Sequence, residues 1–151
     1  MDFIHNMIIR KFRDLDAIEL ARLHRSTIRN VNRQDYPKKQ IDVWAGKTSA
    51  ERFRRLAKEN TRFVAVEKGK LIGFADYKND ELMGLYIHKD HIGKGVGKKL
   101  LQILEADAYK NGIRTMKCTS TITAHKFYEK NGYKTIRKTK HQIGDQKLTV
   151  Y

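Results

Sequence analysis

Cysteine is almost absent from this chain. Cys118 is the single one, so no intrachain disulfide can form. A disulfide-free chain fits a reducing compartment, and a cytoplasmic location is the expectation. No run of about 18 apolar residues occurs, which excludes a membrane-spanning helix. Met1 to Asn6 lacks the basic-then-apolar order of a secretion signal, and the first strand-like run begins at Met7. Acidic residues are scarce: 17 Asp and Glu stand against 32 Lys and Arg, a formal net charge of +15. Such an excess suits an acidic partner or an anionic cofactor. The basic residues are spread along the chain and mixed with acids, so a dedicated nucleic-acid surface is not the expectation. No His/Cys/Asp cluster has metal spacing, and no metal is expected.

What is present is enough for one core. Of 151 residues, 40 % are hydrophobic, and one domain spanning residues 1–151 is expected. Met7 to Phe12 alternates as a strand. Asp16 with Glu19 reads as a capping box, followed by Ala17, Leu20, Ala21, His24, Ile28 and Val31 at helical spacing. His24 on that apolar face is expected to be a packed histidine. Asn30 to Tyr36 reads as a loop. Pro37, the only proline, suits the start of a helix over Lys38 to Ala45 that Gly46 ends. Thr48 with Glu51 suggests a second capping box and a helix to about Glu59.

The pattern then changes to strands. Arg62 to Val66 and Leu71 to Lys78 flank the turn Glu67-Lys68-Gly69-Lys70, and Glu81 to Ile87 is the next strand. Gly95 to Lys110 is a long helix closed by Gly112. Thr115 to Thr119 reads as a strand and Thr123 to Asn131 as a helix. Tyr133 to Lys138 and Lys147 to Tyr151 suggest a final hairpin around Gly144-Asp145. Hairpins surrounding one strand-helix-strand crossover give an α/β (α+β) domain with a mixed sheet.

The most informative segment is Ile92-Gly93-Lys94-Gly95-Val96-Gly97-Lys98. It follows a strand and opens a helix. Glycines let the backbone approach a ligand, and the free N–H groups of a helix start attract phosphate. Lys94, Lys98 and Lys99 add positive charge. A dinucleotide fingerprint would need glycine at Lys98, and a P-loop would need glycine at Ile92 and Ser or Thr at Lys99, so both fail.

The glycine turn, its flanking strand and helix, and the later run Phe127-Tyr128-Glu129-Lys130-Asn131-Gly132-Tyr133 together resemble the GCN5-related N-acetyltransferase family. The resemblance is most specific from Leu82 to Tyr133. The family's cofactor motif aligns with Ile92 to Gly97, with Ile92 standing where the family has Gln or Arg. The resemblance implies a mostly antiparallel sheet flanked by helices, acetyl-CoA as cosubstrate and an amine as acceptor. It implies a cofactor site made of Leu85, Tyr86, Ile87, Ile92, Gly93, Lys94, Gly95, Val96, Gly97, Lys98, Thr121, Ala124 and Phe127. Thr121 stands where the family often has Asn. Tyr128 would protonate the departing thiolate. The resemblance also implies that the strand Glu81 to Ile87 splays from the next one at a bulge, and that a backbone N–H near Leu85 polarises the carbonyl.

Acetyl transfer needs a deprotonated amine, a polarised thioester carbonyl and a protonated leaving group. The resemblance implies Glu81 as the base, at the place where family members carry a glutamate, or a water chain in its stead; Asp76 and His88 are the other candidates, and His91 lies near the cofactor turn. Cys118 has no neighbouring base in sequence, so direct attack is expected, with no acyl-enzyme. The resemblance implies an acceptor pocket from Arg29 to Trp44, the segment between the first two helices, with Tyr36 and Trp44 as candidate lining. Two other functions fit the same sequence: a non-catalytic acetyl-CoA-binding module on RNA or ribosomes, and a transferase of another acyl group. A homodimer is compatible with either.

Overall fold

The computed structural model describes residues 7–143 and 146–150. Its first strand, β1 (Met7–Lys11), leads through a short 3-10 turn into α1 (Ala17–Asn30). The expected Asp16/Glu19 capping box does not form, because both carboxylates are taken by other partners. Asp16 accepts both guanidinium nitrogens of Arg10, at 2.8 and 2.9 Å, and the Arg13 backbone N–H at 2.8 Å. The Arg10 hydrogen bonds, with the Arg13 N–H, hold the Asp16 carboxyl below its ordinary range against the opposing effect of burial. Glu19 reaches across to accept the Leu71 backbone N–H at 2.8 Å.

Helix α2 (Lys38–Gly46) follows Pro37 as expected, and α3 spans Ala50–Leu56. The cap of α3 is Ser49, whose hydroxyl accepts the Arg52 N–H at 3.1 Å, not Thr48. The Thr48 hydroxyl is bonded to His24 Nδ1 at 2.8 Å. The expected Asn30–Tyr36 loop contains one 3-10 turn over Asn32–Gln34.

Strands β2 (Thr61–Glu67), β3 (Lys70–Lys78) and β4 (Glu81–Ile87) then form a meander. Lys68 and Gly69 both take positive φ, 50° and 79°, which suits the tight turn joining β2 to β3. Helix α4 (Val96–Lys110) crosses over to β5 (Lys117–Cys118), which lies parallel to β4. The five strands lie in the order β1-β2-β3-β4-β5, antiparallel apart from the last pair. This is the expected mixed, mostly antiparallel sheet with a crossover.

Helix α4 covers one face of the sheet. Its Leu100, Leu101 and Leu104 are almost fully buried against Ala65, Ile72, Ala75 and Leu82. Each such leucine contributes about 1.5–3 kcal/mol by burial. Helices α1 to α3 cover the other face, where Leu20, Leu23 and Phe53 meet Val64, Leu71 and Phe74.

After β5 comes α5 (His125–Lys130), then β6 (Thr139–Ile143) and β7 (Gln146–Val150) as a separate two-stranded sheet. Two expectations are corrected here. Strand β5 is two residues long rather than five, and Tyr133 to Lys138 is not a strand. Tyr133 instead packs edge-on against Tyr128 and donates its hydroxyl to Glu105 at 3.0 Å, so its segment is held by tertiary contacts. The expected turn at Gly144-Asp145 and the terminal Tyr151 lie outside the described residues.

Candidate active site

The glycine turn and β4 create the site by what their backbones leave unpaired. A 3-10 turn over Lys89–His91 ends β4. Gly93 and Gly95 follow with φ of 78° and 86°, a left-handed region that L side chains rarely enter. They turn the chain into the first turn of α4, whose leading N–H groups have no intrahelical acceptor. Gly97 lies close to Phe127: a Cβ there would stand 3.2 Å from the ring. Val96 points the other way, 3 % exposed in the core, and pins the helix start.

Strand β4 is paired along one edge with β3 and on the other only at Glu81 and Leu82. Its register against β3 slips at Met83: Leu82 faces Tyr77 but Gly84 faces Asp76. The bulge therefore falls at Met83. Beyond it, Gly84 to Ile87 have no strand partner on the β5 side, so the backbone there faces open space.

That space is a cavity of about 520 Å³. Leu85, Tyr86, Ile87, Ile92, Gly93, Gly95, Gly97, Lys98, Thr121, Ala124, Phe127 and Tyr128 all border it. Of the sequence-derived cofactor set, Lys94 and the buried Val96 do not. The Tyr128 side chain is 5 % exposed among Phe127 and Tyr133, and burial pushes its phenol well above its ordinary pKa. It therefore keeps its proton across the neutral range.

A second cavity of about 400 Å³ lies between the sheet and α1–α3. Glu81 borders this one rather than the first. The two share Met83, Gly84, Tyr86, Thr119 and Thr121, so they meet at the bulge of β4. Asp76 borders the second cavity but is committed: Arg62 Nε donates to it at 2.9 Å, both side chains being buried. Burial raises the Asp76 pKa, and Arg62 opposes that rise.

His24 also borders the second cavity. Its ring stands edge-on to Phe53, Phe74 and Tyr86, at 5.4, 5.8 and 4.4 Å. That enclosure, then the positive charges of Arg52, Arg25 and Arg62, depress its pKa to about 3. It is a packed neutral histidine, as expected, that also reaches the cavity wall.

The remaining candidates fall aside. His88 borders neither cavity, and its Nδ1 accepts the Asp90 N–H at 3.1 Å. His91 borders the first cavity with its Nε2 3.0 Å from Glu67. Cys118 borders neither, and burial pushes its thiol up to about 11, so it stays a protonated thiol in the neutral range. Tyr36 borders neither: its hydroxyl accepts the Ile122 N–H at 2.9 Å and its ring packs on Trp44. Trp44 borders the second cavity, while Val31 and Asn32 border the first. Most of the second cavity's helical wall comes from residues 47–60, later than the segment expected. The sequence did not single out Met83, Gly84, Thr119, Lys47 or Arg52, because only the folded sheet and helices bring them to one place.

The acetyltransferase (GNAT) domain model matches residues 32–145. The chain belongs to the GNAT acetyltransferase family. N-acetylation with acetyl-CoA is the general reaction of this family, and the fold is the family's own. A GCN5-related N-acetyltransferase from Rhodopseudomonas palustris superposes with a TM-score of 0.90 at 27 % identity, over 95 % of this chain and 91 % of that one. PaiA N-acetyltransferase from Thermoplasma acidophilum, solved with coenzyme A, gives 0.75 at 24 % identity, over 95 % and 96 %. Ribosomal-protein-alanine N-acetyltransferase from Brucella melitensis biovar Abortus 2308 gives 0.68 at 20 % identity, over 92 % and 99 %. No curated protein matches the sequence.

Proposed function

We propose that this chain transfers the acetyl group of acetyl-CoA to an amine by direct attack, with no covalent intermediate on the protein. The observation that carries the proposal is the meeting of two cavities at the unpaired edge of β4, with Tyr128 on one side and Glu81 on the other. Bound acetyl-CoA supplies an activated thioester. Everything else is the work of the chain.

The first cavity fits the cofactor. The α4 N-terminus, the left-handed Gly93 and Gly95 and the Lys98 side chain suit a diphosphate. The open edge of Leu85, Tyr86 and Ile87 suits the amides of a pantetheine arm, with Phe127 and Ala124 beside it. A backbone N–H past the bulge would polarise the carbonyl. The Glu81 side chain has no ion pair or hydrogen bond to another described residue, and among the candidate bases Asp76 is paired and His88 is outside both cavities. It therefore takes the amine proton, directly or through water. Tyr128 gives its proton to the departing sulfur.

The test is thiol release with a panel of amines, alongside calorimetry of acetyl-CoA binding. Tyr128→Phe is expected to lower turnover by about 10²-fold, the low end for general acid catalysis. A thiolate whose acid has a pKa of about 8.5 is already a fair leaving group. Cofactor affinity should change by less than about 1 kcal/mol, the scale of one neutral hydrogen bond. Wild-type turnover in that variant would reduce Tyr128 to a packing residue.

A further inference from the structure

The charges around the second cavity fall into two kinds, and only one is spent inside the protein. Arg62 and Asp76 are paired at 2.9 Å, and Lys78 lies 3.1 Å from Glu59. His24 is held neutral by its aromatic cage. What remains on the wall is Glu81, at the β4 side, and the exposed cations Lys47 and Arg52, at the end of α2 and in α3. The side chains of these three have no ion pair or hydrogen bond to another described residue. Arg62 adds one more spare donor: its Nη1 bonds to the Phe53 carbonyl at 3.0 Å, but its Nη2 is buried with no partner among the described residues.

We infer that the acceptor is a zwitterion, an amine that also carries a carboxylate, in the class of amino acids and short peptides. The inference rests on the proposed acetyl transfer and extends it to the substrate. The amine end belongs at the β4 bulge beside Glu81, where the two cavities join. The carboxylate end belongs toward α2 and α3, where Lys47 and Arg52 are unspent. A diamine would bring a second ammonium toward those two cations, and like charges about 4 Å apart repel by about 1 kcal/mol even in water. A neutral amide would leave both cations unused.

The experiment measures kcat/KM for thiol release with matched acceptors. These are ω-aminocarboxylates of increasing chain length, their carboxamides, and the α,ω-diamines of equal length, so that the reacting amine stays comparable. The aminocarboxylate of best length is expected to exceed its carboxamide by about tenfold, chiefly in KM, the scale of a hydrogen bond between charged groups. The diamine should be poorest. Arg52 is exposed and its side chain bonds to no described residue, so Arg52→Glu should fold normally. It should erase the preference for the carboxylate, read as the ratio of kcat/KM between each aminocarboxylate and its carboxamide. Equal kcat/KM across the three classes, or a diamine preference, overturns the inference while sustaining acetyl transfer. A carboxylate preference that survives in the double variant Lys47→Glu, Arg52→Glu also overturns it. Thiol release with none of the amines overturns the proposed function and the inference together.

Discussion

The two sides of β4 are built from different materials. The first cavity is framed by main-chain features, a helix start, two left-handed glycines and a strand edge left open after Leu82, with side chains such as Phe127 and Tyr128 beside them. The second is made of side chains from four separated stretches: His24 on α1, residues 44–62 at α2 and α3, the charged face of β3 and β4, and Thr119 and Thr121 past β5. Backbone donors are the same in any sequence that can take their conformation, so the first side suits a ligand shared by a whole family. Side chains can be exchanged one at a time without altering the sheet, so the second side can be tuned to one acceptor.

The comparison breaks most sharply at the ion pair of the second side. Asp76→Asn leaves the Arg62 charge buried and uncompensated, and a loss of about 3–5 kcal/mol in unfolding free energy is expected. Chemical denaturation reads it. A near-neutral result would mean that the side-chain wall tolerates change where the geometry says it does not.

Next in size is Glu81→Gln, expected to lower turnover by about 10²-fold. The loss should be largest at low pH, where little free amine exists for an enzyme lacking its base. A pH–rate profile parallel to that of the wild type removes Glu81 from the chemistry.

On the main-chain side, Gly95→Val forces a β-branched residue to a φ of 86°. The strain is at least about 1–2 kcal/mol, so acetyl-CoA affinity should fall about tenfold or more. Added atoms there meet nothing within 4 Å in the protein, so the effect is conformational and not a clash. Unchanged affinity by calorimetry would place the diphosphate elsewhere.

The smallest effect is at His24. Its pKa of about 3 lies below the ordinary 6.5, so the folded form stays neutral while the unfolded chain gains a proton as pH falls through 6.5. Its contribution to stability is full above that pH and is lost progressively down to about pH 3. Between pH 8 and pH 6 the loss is about 1 kcal/mol. His24→Gln should remove that part of the slope in denaturation curves, and an unaltered slope would show that the ring is not enclosed.

Much of the first side could be read from residue order. Gly93, Gly95 and Gly97 ahead of an apolar-periodic helix mark a phosphate-sized turn, because positive φ and close approach leave few other residues possible. Phe127 and Tyr128 stand out by their place in a recurrent run. The local signals that failed share one cause. Asp16, Glu19 and Thr48 each have the side chain for a helix cap, yet Arg10, the Leu71 amide and His24 claim them instead. A capping pattern states what a side chain can do locally and not which partner folding will offer it.

Sequence by itself thus determined the element order, the crossover and the glycine turn, since each depends on spacing or backbone freedom within about twenty residues. Only the tertiary structure decided the rest: that the β4 bulge sits at Met83, that β5 stops at Cys118 and leaves an edge open, that Asp76 is bound to Arg62, and that Lys47, Arg52 and Glu81 line one cavity. Those outcomes depend on which residues meet after distant elements pack, and no local period encodes that.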